Sequence, residues 1–488
     1  MSHHLHHASP ATAMNRRQWL ARSGAGLAGA LGTGHLANLM LASTASAQST
    51  GYKALVCIFL YGGNDGLNTI VPTDATRHNQ YKTVRAGLHL PLAKLLPLSG
   101  VSYGLHPALA GLSTAWADGN LAPVFNVGTL YKPLTKAEFR AAPASSYLLP
   151  DNLYSHSDQQ NLWENGTTNT LTRTGWGGRA SVALNTANPV ISVGGSARFG
   201  LSEAQSPLVL PDNPGDVFGA YNLQPADLTY APNAARKKAV DAMYAERQEL
   251  DLGNAFTAAQ RNAFSVSDRL GALVKVKPGS DAAFATIDAA FASLRKADGT
   301  LTTSLAKQLY QIAKMVFRRD TVQGSRQVFF AQMDGFDTHA NQLVTGAPTE
   351  GEHARLLKQL GDALGAFYAA MKAIGMSDAV TTFTQSDFGR TFTPNNSTGT
   401  DHAWGNQHLV IGGAVKGGTT YGTYPELTPG GPDDVGVDPW ERHGRWIPTT
   451  SVDQYAATLL GWLGLNDTQL LGVLPNLKNF PTKKLGFV

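Results

Sequence analysis

One loop of the sequence concentrates residues that can do acid–base or metal chemistry. It follows the β-branched run AVTTFTQ at 379–385, which predicts a buried strand, and it precedes a second predicted strand, LVIGGAV at 409–415. The loop carries Asp387, Arg390, Asp401 and His402. Residues just past the carboxyl end of a strand lie where α/β sheets bind ligands, so Asp387 is placed for chemistry. The alternative is that Asp387 caps the next helix, and that Asp401 and His402 only tie down a long loop.

A second acidic cluster follows the predicted strand QVFFAQM at 327–333. It reads Asp334-Gly335-Phe336-Asp337-Thr338-His339. Carboxylate oxygens with an imidazole nitrogen form a donor set that suits zinc or manganese, so Asp334, Asp337 and His339 are predicted ligands of a divalent cation. The same residues can equally form a capped turn without a metal.

A third acidic residue follows the first apolar run of the chain, at 54–61. This run ends in the turn Gly62-Gly63-Asn64-Asp65-Gly66, which is typical of the opening of a doubly wound α/β domain. Asp65 is therefore predicted at the same sheet edge as Asp387, beside glycines that let the backbone approach a ligand closely. No Gly-Lys-Ser/Thr follows, so the turn is not a phosphate-binding loop. The alternative is a plain turn in which Asp65 satisfies its own backbone.

Hydroxyl and imidazole groups are adjacent at the start of one predicted helix. Ser157 or Asp158 is predicted to cap this helix, which ends at Gly166. A hydroxyl at a helix N-terminus faces the positive end of the helix dipole, so Ser155 and Ser157 are candidate nucleophiles. His156 is a further candidate catalytic residue, although no Ser155–His156 dyad is inferred because adjacent residues seldom face each other. The alternative is that these groups serve as caps alone.

The elements that must position these residues are short strands and amphipathic helices. Further strands are predicted at 121–127 and 189–195, and helices at 352–374 and 451–464. Helical spacing also fills about 231–321, which predicts a helical insertion to which no chemistry is assigned. With 488 residues, of which 43% are hydrophobic, the chain can bury a large core. The pattern predicts an α/β protein with one sheet-centred domain.

The first 47 residues are predicted to be an export signal rather than part of the fold. They contain the twin-arginine motif Asn15-Arg16-Arg17-Gln18-Trp19-Leu20 and the small-residue cleavage site Ala45-Ser46-Ala47. The mature domain is then 48–488, located in the periplasm or secreted, with the twin-arginine translocase as its partner during export. The apolar part of the signal is Gly-rich, so no permanent membrane anchor is predicted.

Charge and cysteine content exclude other classes of protein. Removing the three arginines of the signal lowers the formal charge from +4 to +1, and no basic stripe with interleaved aromatics is present, so nucleic acid is not a predicted partner. Cys57 is the only cysteine, which rules out an intrachain disulfide. The sequence has no cysteine pair, haem motif or dinucleotide fingerprint that would indicate a redox protein.

Several motifs together resemble one bacterial family. Besides the twin-arginine signal, these motifs are FLYGGNDGLN, YSHSDQQNLWENG, FDTHANQ, SDFGRT, GTDHAWGNQH and GRWIPTTSVDQYAATLLGWLG. They resemble the uncharacterised, twin-arginine-exported family known as domain of unknown function 1501, which is grouped with the alkaline phosphatase and sulfatase superfamily. The resemblance implies a three-layer α/β/α sandwich with a mainly parallel sheet. It also implies one or two divalent ions (zinc, manganese or calcium) at the carboxyl edge of that sheet.

The resemblance further implies roles for individual residues. Ser155 falls at the nucleophile position. The residues that match or can replace metal ligands are Asp65, Asp334, Asp337, His339, Asp387, Asp401 and His402. Phe388 stands where the superfamily has a ligand histidine, which leaves one half of a two-metal centre incomplete unless His402, with Asp401, substitutes. The region of Ser155 lacks the Cys/Ser-x-Pro-x-Arg pattern, which argues against a genuine sulfatase.

Two functions follow from these residues. The first is a metal-dependent hydrolase or transferase acting on a phosphate or sulfate ester, either a small molecule or a glycan, with Arg390 or the Ser155 helix holding the free oxygens. The alternative is a catalytically inactive secreted binding or scaffold protein on the same fold. Phe388 and the missing sulfatase signature favour this alternative.

Overall fold

A computed structural model describes residues 51–143 and 146–488, and an eight-stranded sheet organises this part of the chain. The strands, numbered in chain order, are β1 Lys53–Leu60, β2 Ile70–Pro72, β3 Leu96–Pro97, β4 Tyr103–Leu105, β5 Leu121–Gly128, β6 Ile191–Ser192, β7 Leu208–Val209, β8 Arg326–Met333, β9 Val380–Ser386, β10 Asn406–Ile411 and β11 Thr450–Ser451. The large sheet has the order β11-β5-β10-β9-β1-β8-β6-β7, and a small sheet has the order β2-β4-β3.

The large sheet is mainly parallel. β10 runs antiparallel to β5 and β9, whereas the other pairings of this sheet are parallel. In the centre of the sheet, Leu60 at the end of β1 lies opposite both Met333 of β8 and Ser386 of β9. The three strands therefore end at the same level, and the residues that follow them meet at one carboxyl edge.

The α-helices of the described residues cover both faces of this sheet. They are α1 Gly66–Thr69, α2 Ala75–Arg85, α3 Ser113–Ala117, α4 Lys136–Ala141, α5 His156–Asn165, α6 Trp176–Ala183, α7 Ala231–Ala245, α8 Asp251–Lys275, α9 Ala285–Ala290, α10 Ser304–Phe317, α11 Arg319–Val322, α12 Glu352–Ala373, α13 Val452–Leu463 and α14 Asp467–Val473. None of these helices is long and apolar enough to span a membrane.

Side chains of β1 alternate between two hydrophobic cores. Val56 and Ile58 pack in one core with residues of α10 and α12. Leu55 and Phe59 pack in the other core with residues of α5, α6 and α13. The fold is thus a three-layer α/β/α sandwich with a mainly parallel sheet, which confirms the predicted fold class. The helical insertion is present as α7 to α11, between Ala231 and Val322.

The strand predicted at 409–415 instead begins at Asn406 and ends at Ile411. A side chain on Gly412 would collide with the carbonyl oxygen of Val380, so the chain turns where only glycine fits. The predicted export signal at 1–47 lies outside the described residues.

Candidate metal centre

Three imidazole rings converge on the carboxylate of Asp337. The Nε2 atoms of His156, His339 and His402 lie 3.4, 3.2 and 3.4 Å from Asp337 Oδ1. Ligand atoms of His156, Asp337 and His402 all lie within 4.8 Å of one another. His339 adjoins this group, because its Nε2 atom is 2.7 Å from Nε2 of His402. Four potential metal ligands are therefore gathered at one place.

Each of the three rings is held by its other nitrogen. Nδ1 of His156 lies 2.7 Å from Asp387 Oδ2, and Nδ1 of His339 lies 2.8 Å from Asp401 Oδ1. Nδ1 of His402 lies 2.7 Å from the carbonyl oxygen of Tyr154. Carbonyl and carboxylate oxygens only accept hydrogen bonds, so each Nδ1 atom carries the proton. In neutral rings all three Nε2 atoms are then unprotonated, with their lone pairs free.

These lone pairs fit a cation. The Nε2 atoms of His339 and His402 are 2.7 Å apart, a distance at which two lone pairs repel unless a proton or a metal ion lies between them. Nε2 of His156 is buried and has no hydrogen-bond partner among the described residues. Ligands of tetrahedral zinc, with bonds of about 2.0 to 2.1 Å, lie about 3.3 Å from one another, close to the 3.2 to 3.4 Å that separate Asp337 Oδ1 from the three nitrogens. Metal-bound histidines also typically donate their second nitrogen to a carboxylate or carbonyl, as here.

Several elements bring these residues to the carboxyl edge. Asp337 follows the end of β8, and Asp387 follows the end of β9. His156 is the first residue of α5, after Tyr154, whose φ of 72° is uncommon for a bulky side chain. The carbonyl oxygen of Tyr154 accepts the hydrogen bond from His402, so this backbone conformation is part of the support of the cluster.

The buried guanidinium of Arg390 links the loops at this sheet edge by hydrogen bonds. Arg390 is fully buried and donates to the carbonyl oxygens of Gly63, at 2.8 Å, and of Thr400, at 3.0 Å. It also donates to the carbonyl oxygens of Gly62 and Phe336, and, at 2.5 Å, to Asp337 Oδ1. Arg390 was predicted to hold the free oxygens of a substrate. Its contacts place it within the protein instead, because it is closed off from solvent and its three nitrogens donate to protein groups.

The charges around the cluster favour a cation. Burial alone would raise the pKa of Asp337, but the hydrogen bond and positive charge of Arg390 outweigh it and hold that pKa below its usual value. The hydrogen bond that His156 donates to the Asp387 carboxylate raises the pKa of His156. Burial lowers the pKa of His402, which favours the neutral ring that a metal requires.

The sequence matches the family described as "Protein of unknown function (DUF1501)" over residues 52–472. The chain belongs to this family. No curated protein matches the sequence. Among solved structures, the chain is similar to Ps i-CgsB in complex with k-i-k-neocarrahexaose, with 12% identity and a TM-score of 0.34. It is similar to Ps i-CgsB alone with 11% identity and a TM-score of 0.34. Each match covers 88% of this chain and 77% of that chain. It is also similar to the phosphonate monoester hydrolase SpPMH from Silicibacter pomeroyi, with 11% identity and a TM-score of 0.30, covering 85% of this chain and 74% of that chain.

Asp65 of this DUF1501 protein lies apart from the histidines. It is fully buried, and its carboxylate forms an ion pair with Arg85 and accepts a hydrogen bond of 2.5 Å from Gln342. Burial opposes ionisation of Asp65, but the charge of Arg85 holds its pKa below the usual value. The positive charge that a metal ion was predicted to supply beside Asp65 is therefore supplied by Arg85.

Of the other predicted acidic ligands, two accept hydrogen bonds from the histidine rings and one lies apart from the cluster. Asp387 is fully buried; it accepts hydrogen bonds from His156, from Gln160 at 2.9 Å and from the backbone of Gly62 at 3.1 Å. Asp401 supports His339 in the same way. Asp334 is exposed and forms no hydrogen bond or ion pair within residues 51–143 and 146–488. Asp387 and Asp401 thus orient rings, and Asp334 does not join the cluster.

Ser155 is the N-cap residue of α5, a position that was predicted for Ser157 or Asp158. Its hydroxyl donates to Asp158 Oδ2 at 2.9 Å and lies 3.3 Å from the hydroxyl of Ser157. No side chain caps the first N–H groups of α5. The first N–H groups of α5, which include that of His156, are therefore not satisfied by a capping side chain.

The sequence did not reveal the place of two residues in this region. His156 was predicted to be catalytic rather than a ligand, and only its position one residue after Ser155 signalled its importance. Arg85 was not singled out, because nothing in the sequence of α2 shows that its last residue pairs with Asp65. Phe388, which the resemblance of the sequence predicted in place of a ligand histidine, packs its ring 4.8 Å from that of His156 and 4.5 Å from that of His402.

Proposed function

We propose that the protein is an exported, metal-dependent hydrolase or transferase that acts on phosphate or sulfate esters. The observation that supports this most directly is the convergence of three unprotonated Nε2 atoms and Asp337 Oδ1. Such a donor set is costly to assemble without a cation, because the lone pairs face one another and lack donors. When bound, a divalent ion supplies a Lewis acid that neutralises charge on the group being transferred.

The residues around this centre supply the rest of the chemistry. His156, His402 and Asp337 hold the ion, and His339 adjoins this group. The half-exposed side chains of His339 and Asp337 leave the ion open to a substrate. Ser155 is the nucleophile, and Asp158 Oδ2, which accepts its hydroxyl hydrogen, withdraws the proton as the oxygen attacks. The free N–H groups at the start of α5 bind the anionic oxygens of the ester.

The centre holds one ion rather than two. Arg85 neutralises Asp65, so that carboxylate does not need a metal ion. Phe388 offers no ligand atom and instead packs against His156 and His402. The two nitrogens of His156 and His402 with the oxygen of Asp337 form a three-ligand set that favours zinc among the divalent ions.

A metal analysis combined with an ester panel tests the proposal. We expect about one equivalent of zinc or manganese in protein purified without chelators, and turnover of 4-nitrophenyl phosphate or sulfate that chelation abolishes. Ser155→Ala should lower kcat by at least about 100-fold, since the nucleophile is lost. Ser157→Ala, on the same turn of helix, is the matched control and should retain activity. Protein that binds no metal and turns over no ester would refute the proposal.

Export by the twin-arginine route is supported by the motif at residues 15–20 and the cleavage site at 45–47. A fusion of residues 1–47 to a reporter that fluoresces after folded export should reach the periplasm. Replacing both Arg16 and Arg17 with Lys should hold the reporter in the cytoplasm, because the translocase recognises the arginine pair. Equal export of the two fusions would refute this route.

A binding protein on the same fold is the second candidate. It is favoured by Arg390, whose burial and protein contacts leave no free guanidinium to stabilise a transferred group. The same panel separates the two functions. Bound metal without turnover of any ester, in a protein that still binds inorganic phosphate or sulfate, would favour the binding protein.

A further inference from the structure

A groove of about 430 Å³ lies beside α5. Its lining includes Asn161, Ser196, Arg198, Leu201, Pro207 and Val209. This volume is within the range of about 300 to 1,000 Å³ that small-molecule sites occupy. None of these residues takes part in the metal cluster.

The groove is at the same edge of the sheet as the metal cluster. Gly62 follows the end of β1, and a Cβ atom added to it would collide with the backbone nitrogen of Asp337. Asp337 therefore lies over the end of β1. From β1, the strands β8 and then β6 follow in the sheet, and Ser196 comes four residues after the end of β6. Two strand spacings of about 4.8 Å give a sideways offset of roughly 10 Å between the end of β1, under Asp337, and the end of β6. One extended molecule can therefore reach both places.

The polar side of the groove is cationic. Arg198 donates through Nε to Asn161 Oδ1 at 2.7 Å and through Nη1 to the carbonyl oxygen of Thr172 at 2.9 Å. These bonds fix the guanidinium, whereas its Nη2 atom has no partner among the described residues. A fixed guanidinium with free N–H groups is suited to a carboxylate or another planar anion.

The remaining lining suits the body of a sugar. Ser196 and Ser206 present exposed hydroxyls that make no hydrogen bond within the described part of the chain. Leu201, Pro207 and Val209 supply the apolar part of the lining, and Val209 is 39% exposed. Hydroxyl donors and acceptors beside an aliphatic wall match the polar edges and apolar faces of a hydroxylated ring.

We propose that this groove binds an acidic sugar unit in the part of the ester that is not transferred, with Arg198 pairing with its carboxylate. That the bound ester is a substrate rests on the proposed function, whereas binding of the acidic sugar does not. The preferred substrate is then an extended, acidic glycan ester rather than a small phosphate or sulfate monoester.

Calorimetric titration of the mature, metal-loaded protein with D-glucuronate tests the proposal, and D-glucose serves as the neutral counterpart. We expect D-glucuronate to bind more tightly than D-glucose. Arg198→Gln should weaken D-glucuronate binding at least about tenfold, which corresponds to about 1.4 kcal/mol. Val209→Asp should weaken it similarly by repulsion, and this variant guards against a folding defect because Val209 lies on an exposed edge strand. Arg173→Gln removes an exposed arginine nearby and should have no effect.

The outcomes separate this proposal from the proposed hydrolase. Binding of D-glucuronate that depends on Arg198 and persists after chelation supports the groove, even if no ester is turned over. If esters are turned over but D-glucuronate does not bind, the groove proposal is overturned and the hydrolase proposal stands. The same holds if D-glucuronate binds equally to wild type, Arg198→Gln and Val209→Asp. Equal affinity for D-glucose and D-glucuronate also overturns it, because the guanidinium would then play no part.

Discussion

At the scale of single residues, the role of a buried acid depends on the partner it finds. Asp65 and Asp387 each follow a parallel strand of the same sheet, and both side chains are fully buried. Asp65 faces the guanidinium of Arg85, whereas Asp387 faces the imidazole of His156. The first pair is closed within the protein, and the second holds a ring at the candidate metal centre.

Replacing each of these two acids with asparagine should therefore have different consequences. Asp65→Asn leaves Arg85 buried without a counter-charge, so we expect a loss of about 3 to 5 kcal/mol in the free energy of unfolding. Asp387→Asn can accept only some of the hydrogen bonds that orient His156, so we expect metal affinity to fall about 10- to 100-fold. Urea unfolding and chelator competition measure the two effects.

The exposed Asp334 is the matched control for this pair. Asp334→Asn should change neither the free energy of unfolding nor the affinity for metal, since this carboxylate contacts no part of the cluster. If Asp65→Asn abolished metal binding in protein that remained folded, the assignment of Asp65 to a closed ion pair would be wrong.

At the scale of elements, local sequence signals specify the helix ends well. α13 begins after Ser451, whose hydroxyl accepts a hydrogen bond of 3.0 Å from the backbone of Gln454. The side chain of Gln454 returns the contact by accepting from the backbone of Ser451 at 2.9 Å. Such a capping box satisfies N–H groups that a helix leaves unpaired at its start, and it can be read from residue types at fixed spacing. The predicted helix at 451–464 accordingly agrees closely with α13.

Removing this cap should cost stability without affecting the metal centre. Ser451→Ala leaves the buried N–H group of Gln454 without a partner, so we expect a loss of about 1 kcal/mol in the free energy of unfolding. Ser451→Thr keeps the capping oxygen and should retain most of that stability. Urea unfolding of the two variants measures the difference, and equal midpoints for wild type and Ser451→Ala would contradict the role of the cap.

At the scale of the whole molecule, burial between layers places an acid where ionisation is costly. Asp453, at the start of α13, is 2% exposed, and its Oδ1 atom has no hydrogen-bond partner among the described residues. Burial raises the pKa of Asp453 from 3.8 to about 8, against the opposing effects of nearby backbone N–H groups and Arg179. Folded protein therefore keeps a proton on Asp453 at pH values where the unfolded chain has released it.

This proton makes stability depend on pH. The contribution of Asp453 is fully present below about pH 4, falls as the pH rises and levels off above about pH 8. The slope from one such proton is at most about 1.4 kcal/mol per pH unit. We expect Asp453→Asn, which cannot ionise, to show a flatter decline of unfolding free energy between pH 5 and pH 8 in urea titrations (roughly the window set by the two pKa values). Parallel curves for wild type and variant would mean that Asp453 is ionised in the folded protein.

The layered fold followed from short-range patterns in the chain. Continuous apolar runs predicted β1, β8 and β9, since a strand covered by helices on both faces has no polar side. Amphipathic spacing predicted α12, because burying one helix face requires apolar residues about every 3.6 positions. The Ser451 cap and the terminal Gly464 predicted α13. These patterns also placed Asp65, Asp337 and Asp387 after strand ends, and the parallel sheet brings those ends to one edge.

Only the tertiary structure decided which acid meets which base. Asp65 and Arg85 are 20 residues apart, and His156 and Asp387 are 231 residues apart. Hydrophobic patterning is local and sets where a residue sits on its own element. The sequence alone therefore determined the sheet edge and the acidic and imidazole groups near it. Packing between elements then decided which of these groups became electrostatic partners. The three-dimensional fold assigned His156 to the cluster, gave Asp65 to Arg85 and placed Arg390 beneath Asp337.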